Sequence, residues 1–223
     1  MSFDGIYTLL ARCIILVAVI PLHECAHGWL AYKLGDPTAK TQGRLTLNPI
    51  RHFDPIGSAL MLLAGYGWAK PVPVNPRYFK KPRLGMALTA LAGPVSNLLY
   101  GTALLILYRV LIILLPGSPL YQSSAVFQIL VYGVLEILWS MVSINISLAV
   151  FNMLPVPPLD GSRIASLLLP DGVYYTLIRY ERYIFLVMVL AMFSGVFSRP
   201  MGICTQYVLY FLIRITDVVE ILI

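Results

Sequence analysis

The sequence predicts an α-helical polytopic membrane protein, and three observations carry that prediction. Hydrophobic side chains make up 59% of the chain and charged ones 12%, a balance too apolar for a soluble domain. Three apolar runs, at roughly 6–34, 84–115 and 125–154, each exceed the about 20 residues a helix needs to cross a bilayer. The positive charges also sort by position. Of the 16 Lys and Arg, nine lie between Lys33 and Arg83 and three more (Arg163, Arg179, Arg182) surround Asp171, whereas residues 116–124 hold none. The positive-inside rule turns the first two regions toward the cytoplasm. The expectation is one integral-membrane domain over 1–223, with a core at about 6–169 and two C-terminal helical segments at about 181–223. It holds about five transmembrane or re-entrant helical segments and a small membrane-associated β-region after the first span.

The net charge of +6 comes without a basic helix or interleaved aromatic and basic residues, so it speaks for membrane orientation and lipid contact rather than for nucleic acid. The three cysteines (Cys13, Cys25, Cys204) are odd in number and lack C-x-x-C spacing, which excludes a disulfide framework and a cysteine metal site. The first apolar run has no basic n-region, which reads as a retained span and not a cleaved signal.

Inside that first run stand His23, Glu24 and His27. On a helix the two histidines project from one face a turn apart and can share a metal ion, with Glu24 beside them as a base that need not be a ligand. An acid in a bilayer-length segment costs about 2.5–3.5 kcal/mol on insertion scales, which makes a functional role the default reading. Pro21 is expected to loosen the backbone just before His23 and to open a hydrated pocket there.

From Thr38 to Phe79 the text turns to Gly, Pro, Asn and Thr. The alternation around Thr41–Leu47 predicts short strands, with Gly43, Arg44 and Leu45 on an edge able to hold an unwound peptide. The stretch Asn48-Pro49-Ile50-Arg51-His52-Phe53-Asp54-Pro55-Ile56-Gly57 contains the third histidine, His52, which is either a hydrogen-bonding loop residue or a third ligand. The apolar run Ser58 to Tyr66 is too short to cross and reads as re-entrant or interfacial.

The second long run contains Gly93-Pro94-Val95-Ser96-Asn97. Gly93 permits close helix packing, and Asn97 either bonds a neighbouring helix or lines a cavity. The third run carries Glu136 and Asn145, and at its inner end, with Asn152 as a candidate support of the site, stands Phe151-Asn152-Met153-Leu154-Pro155-Val156-Pro157-Pro158-Leu159-Asp160-Gly161. The prolines keep this piece extended. The inner half of the first span and the inner end of the third reach the same depth, so Asp160 is the expected third ligand beside His23 and His27. Two imidazoles and a carboxylate leave one coordination position open, as in catalytic rather than structural zinc sites.

Taken together, His23-Glu24-x-x-His27, Asn48-Pro49-x-x-His52-x-Asp54-Pro55-x-Gly57, Gly93-x-x-x-Asn97 and Pro158-Leu159-Asp160-Gly161 closely resemble the site-2 protease family of intramembrane zinc metalloproteases, over about 6–169. The resemblance implies one Zn²⁺ on His23, His27 and Asp160, Glu24 as catalytic acid/base, and Asn97 near the active site. It further implies single-span membrane proteins as substrates, a prokaryotic plasma membrane, and cleavage toward the cytoplasmic side. The PDZ-type insertion and the CBS domains that many members carry are not evident in this chain. A metal-ion transporter is the rival reading, since membrane His and carboxylate residues also build ion pathways. Such a pathway would continue outward, where these spans offer little besides Glu136 and Arg109. A non-catalytic regulatory membrane protein is the other rival, and the intact Glu24 argues against it.

Overall fold

The computed structural model describes residues 3–65 and 67–218. The first span is one rod made of helix α1 (Phe3–Ile14), a π-helical turn over Ile15–Val19, and helix α2 (Ile20–Lys33). Pro21 has no N–H to return to the Val17 carbonyl, and the wider turn answers this, with the Ile20 N–H donating to the Ile15 carbonyl. The expected loosening is therefore present, one turn earlier than His23. Gly35, at φ +107°, ends the rod.

The expected β-region is corrected by the structure: among the described residues there is no strand. Thr38–Thr41 forms the single-turn helix α3, and Gly43, at φ +64°, closes it in a left-handed turn. Strands need a partner ladder, and here the backbone is satisfied by side chains instead. Buried Asp36 accepts the Thr38 N–H at 2.9 Å, the Thr38 hydroxyl, and the Asn75 N–H at 2.7 Å. Arg44 donates to the Lys70 carbonyl at 2.7 Å, and His52 Nε2 donates to the Thr46 carbonyl at 2.8 Å. The apolar run that follows folds as α4 (Pro55–Ala64), ten residues long and too short to cross, as expected; Tyr66, the last residue of the anticipated run, lies outside the described residues. Asp54 caps its start by accepting the Gly57 N–H at 2.8 Å, and Gly65 at φ +80° ends it. Arg12 reaches across from α1 and donates to the Leu62 carbonyl in the last turn at 3.0 Å.

The second and third spans are α5 (Pro82–Leu114) and α7 (Ala125–Asn152), joined through the short α6 (Pro119–Ser123). They pack closely where Gly101 of α5 sits against Asn145 of α7; a Cβ there would stand 3.3 Å from the Asn145 Cβ. Ala11, Leu104, Leu105, Met141, Val142 and Ile146 form one buried cluster among α1, α5 and α7, and Ile15, Leu16, Val19, Ile20 and Met61 form another beneath α4. Many large apolar side chains point outward, among them Leu99, Val126 and Ile129, each about two-thirds exposed. Such a surface belongs in lipid rather than water.

After the proline segment come α8 (Asp160–Ala165), α9 (Asp171–Phe193) and α10 (Ser198–Thr216). The last two are bent by 86° at Gly195, whose φ is +77°. Among the described residues three helices are long and apolar enough to cross a membrane, or four if the bent pair counts as one span. Of the two C-terminal segments expected at about 181–223, the first helix begins earlier, at Asp171, and residues 219–223 lie outside the described range. Ion pairs fix both ends of the bent pair: Arg83 to Asp171 at 2.5 Å, and Arg109 to Asp217 at 2.7 Å.

Candidate active site

Three elements bring their polar residues to one point. Helix α2 supplies His23 and His27 a turn apart, and Asp160 arrives as the first residue of α8, directed there by the Pro155–Pro158 segment with its cis Pro157–Pro158 bond. The two Nε2 atoms lie 3.0 Å apart, and Asp160 Oδ2 is 3.3 Å from one and 3.4 Å from the other. All three donor atoms fall within 4.8 Å of one another. The set fits a divalent metal on structural grounds. Asp160 Oδ2 is buried and takes part in no hydrogen bond. His27 Nδ1 donates to the Thr89 carbonyl at 2.7 Å, which fixes the tautomer and leaves Nε2 free as a ligand. Two imidazoles with a carboxylate are a donor set suited to zinc.

Glu24 is buried next to this cluster, and its Oε2 accepts the Val72 N–H at 2.8 Å. Val72 belongs to an extended segment that passes over α2, where its side chain and Leu45 come against Gly28. On the other side α5 crosses α2 at Gly93. A Cβ there would collide with both imidazoles, so the glycine lets α5 approach the metal ligands themselves. One turn on, Asn97 is 1% exposed and its Oδ1 has no partner among the described residues. Gly93 packs closely, and Asn97 stands in a cavity wall with no hydrogen bond to a neighbouring helix among the described residues.

That cavity measures about 850 Å³ and contains His23, Glu24, His27, Thr89, Asn97, Asn152 and Asp160 in its wall. Asn152 also donates to the Leu148 carbonyl at 3.1 Å. The remaining expected site residues lie elsewhere. His52 is fully buried on Thr46 and does not join the metal group, Gly43 sits in an exposed turn, Arg44 holds the Lys70 carbonyl, and Leu45 lies against Gly28 of α2. The sequence reading missed the Val72 amide and the Thr89 carbonyl, which are backbone groups with no side-chain signature. It also missed α9 as a wall. Trp68 meets Phe185 of α9 edge to face at 5.4 Å, and Arg163 of α8 donates to both carboxylate oxygens of Glu181 at 2.8 and 3.0 Å.

Comparison with known proteins agrees with this geometry. Residues 11–195 match peptidase family M50. YwhC of Bacillus subtilis, provisionally named a zinc metalloprotease, is 44% identical over 197 residues, covering 88% of this chain and 83% of that protein. Rip2 of Mycolicibacterium smegmatis, also provisionally named a zinc metalloprotease, is 28% identical over 166 residues, with 72% of this chain covered and 57% of its own length. Rip2 of Mycobacterium tuberculosis is 29% identical over 150 residues, 63% of this chain and 50% of that protein. No solved structure matches. An integral membrane protein with a half-buried His-His-Asp cluster and a family match over most of its length, the chain belongs to peptidase family M50, the site-2 protease family of metalloproteases.

Proposed function

We propose that this chain is a single-domain intramembrane zinc protease that hydrolyses peptide bonds within or near the transmembrane segments of single-span membrane proteins. The observation that carries the reading is the His23, His27 and Asp160 cluster with Glu24 beside it, all on one cavity inside bilayer-length helices. The provisional names of the relatives support zinc as the metal. One Zn²⁺ would be held by His23, His27 and Asp160, and when bound it supplies an acidified water and a Lewis acid for the peptide carbonyl.

The protein's own groups do the rest. Glu24 takes the proton of the attacking water and returns it to the leaving amine. The Val72 amide holds one carboxylate oxygen and leaves the other to handle the proton. Thr89 keeps His27 in the ligating tautomer. Asn97 offers its amide inside the cavity to the substrate backbone, and α9 with Trp68 keeps bulk water out. The distribution of Lys and Arg supports a site near the cytoplasmic face of a prokaryotic plasma membrane.

The test is cleavage of a single-span substrate by purified protein in liposomes, beside Glu24→Gln, with zinc measured in both. Wild type should cut, and Glu24→Gln should hold zinc without cutting. A wild type that retains no zinc, or an equally active Glu24→Gln, would overturn the mechanism.

A further inference from the structure

The cavity wall contributed by α9 changes character along its length. Arg179, Glu181 and Arg182 come first, and Phe185, Met188 and Met192 follow. The charged end lies beside α8, because Glu181 is engaged by both hydrogen bonds from Arg163. Val19, Ile20 and Leu148 add apolar surface to the same cavity. With Glu181 occupied by Arg163, Arg179 and Arg182 remain uncompensated: among the described residues neither has a hydrogen-bond or ion-pair partner. Both side chains are exposed and border the open cytoplasmic-side rim of the cavity, where a substrate flank would pass.

On the basis of the protease reading above, we propose that Arg179 and Arg182 form a carboxylate subsite, so that the substrates are single-span proteins with Asp or Glu immediately on the cytoplasmic side of the cut segment. Guanidinium forks match carboxylates in geometry as well as charge. The apolar end accepts the hydrophobic residues of the same segment, which fixes its direction in the cavity. The pair also rejects. Most membrane proteins carry Lys and Arg on the cytoplasmic flank, and like charge at the subsite turns them away, so selection works against the bulk of membrane proteins.

The experiment uses one transmembrane segment with three cytoplasmic flanks, four-residue Asp/Glu, Ser/Asn or Lys. Affinity is read by fluorescence anisotropy on the Glu24→Gln protein in nanodiscs of zwitterionic lipid, and kcat/KM on wild type in matching liposomes. The acidic flank should exceed the Lys flank about tenfold in both readouts. Arg179→Glu with Arg182→Glu should invert the ratio while zinc content stays the same, and Arg179→Lys with Arg182→Lys should keep its direction. Equal affinity for the three flanks, or a ratio unmoved by charge reversal, would overturn the subsite. A flank preference abolished by 20% anionic lipid would also overturn it, by assigning the guanidiniums to headgroups. If no segment is cut while the binding ratio holds and inverts, the protease reading fails and the subsite stands.

Discussion

Glu24 and Val72, 48 residues apart, are joined by a 2.8 Å hydrogen bond from a backbone amide to a buried carboxylate oxygen. The bond aims the proposed base, and it joins the helix of the metal ligands to the segment that walls the cavity.

Replacing Val72 with proline removes the donor in a stretch that already has proline on both sides. Zinc content should be unchanged while kcat falls about 10- to 100-fold, because a base left free to rotate loses its alignment. Single-turnover cleavage with parallel metal analysis measures both, and an unaltered kcat would show that the amide is incidental.

Gly93→Ala would place a methyl group on both imidazole rings. Overpacking of this kind costs about 1–3 kcal/mol, and here it falls on the ligands, so zinc affinity should drop about tenfold or more. Gly101→Ala meets its neighbour at 3.3 Å, away from the ligands, and should leave zinc affinity intact. Competition with a chromophoric chelator separates the two variants.

Asp36 is fully buried and holds Thr38 and Asn75 together. Charge-assisted hydrogen bonds contribute about 1.5–3 kcal/mol each, so Asp36→Ala should lower the unfolding midpoint in detergent by several degrees. Hydrogen exchange should rise first at the Val72 amide.

Arg12→Met removes the cation from the final turn of α4. A hydrogen bond from a charged group at a helix C-terminus is worth about 1–2 kcal/mol. Proteolysis within residues 55–68 should accelerate, whereas Arg12→Lys should recover most of the protection.

The grouping of His23, His27 and Asp160 and the long helices were legible because their signals are local: a four-residue spacing of histidines, apolar runs of bilayer length, and a proline-rich stretch ending in an aspartate, although that stretch folds as turns leading into α8 and not as an extended piece. The alternation at Thr41–Leu47 misled because a strand needs a partner, and Asp36, Arg44 and His52 satisfy the backbone instead. Val72 and Thr89 act through backbone atoms, which any residue possesses. Arg179 and Arg182 were legible only as charges that orient a span; that they border a cavity follows from tertiary packing.

The helix pair α9 and α10 is held by Arg83 at one end and Arg109 at the other, with an 86° bend between. In mechanical terms it is a beam pinned at both supports and jointed near its middle. Load on such a beam is taken up at the joint, and there Gly195, at φ +77°, is the residue free of a side chain.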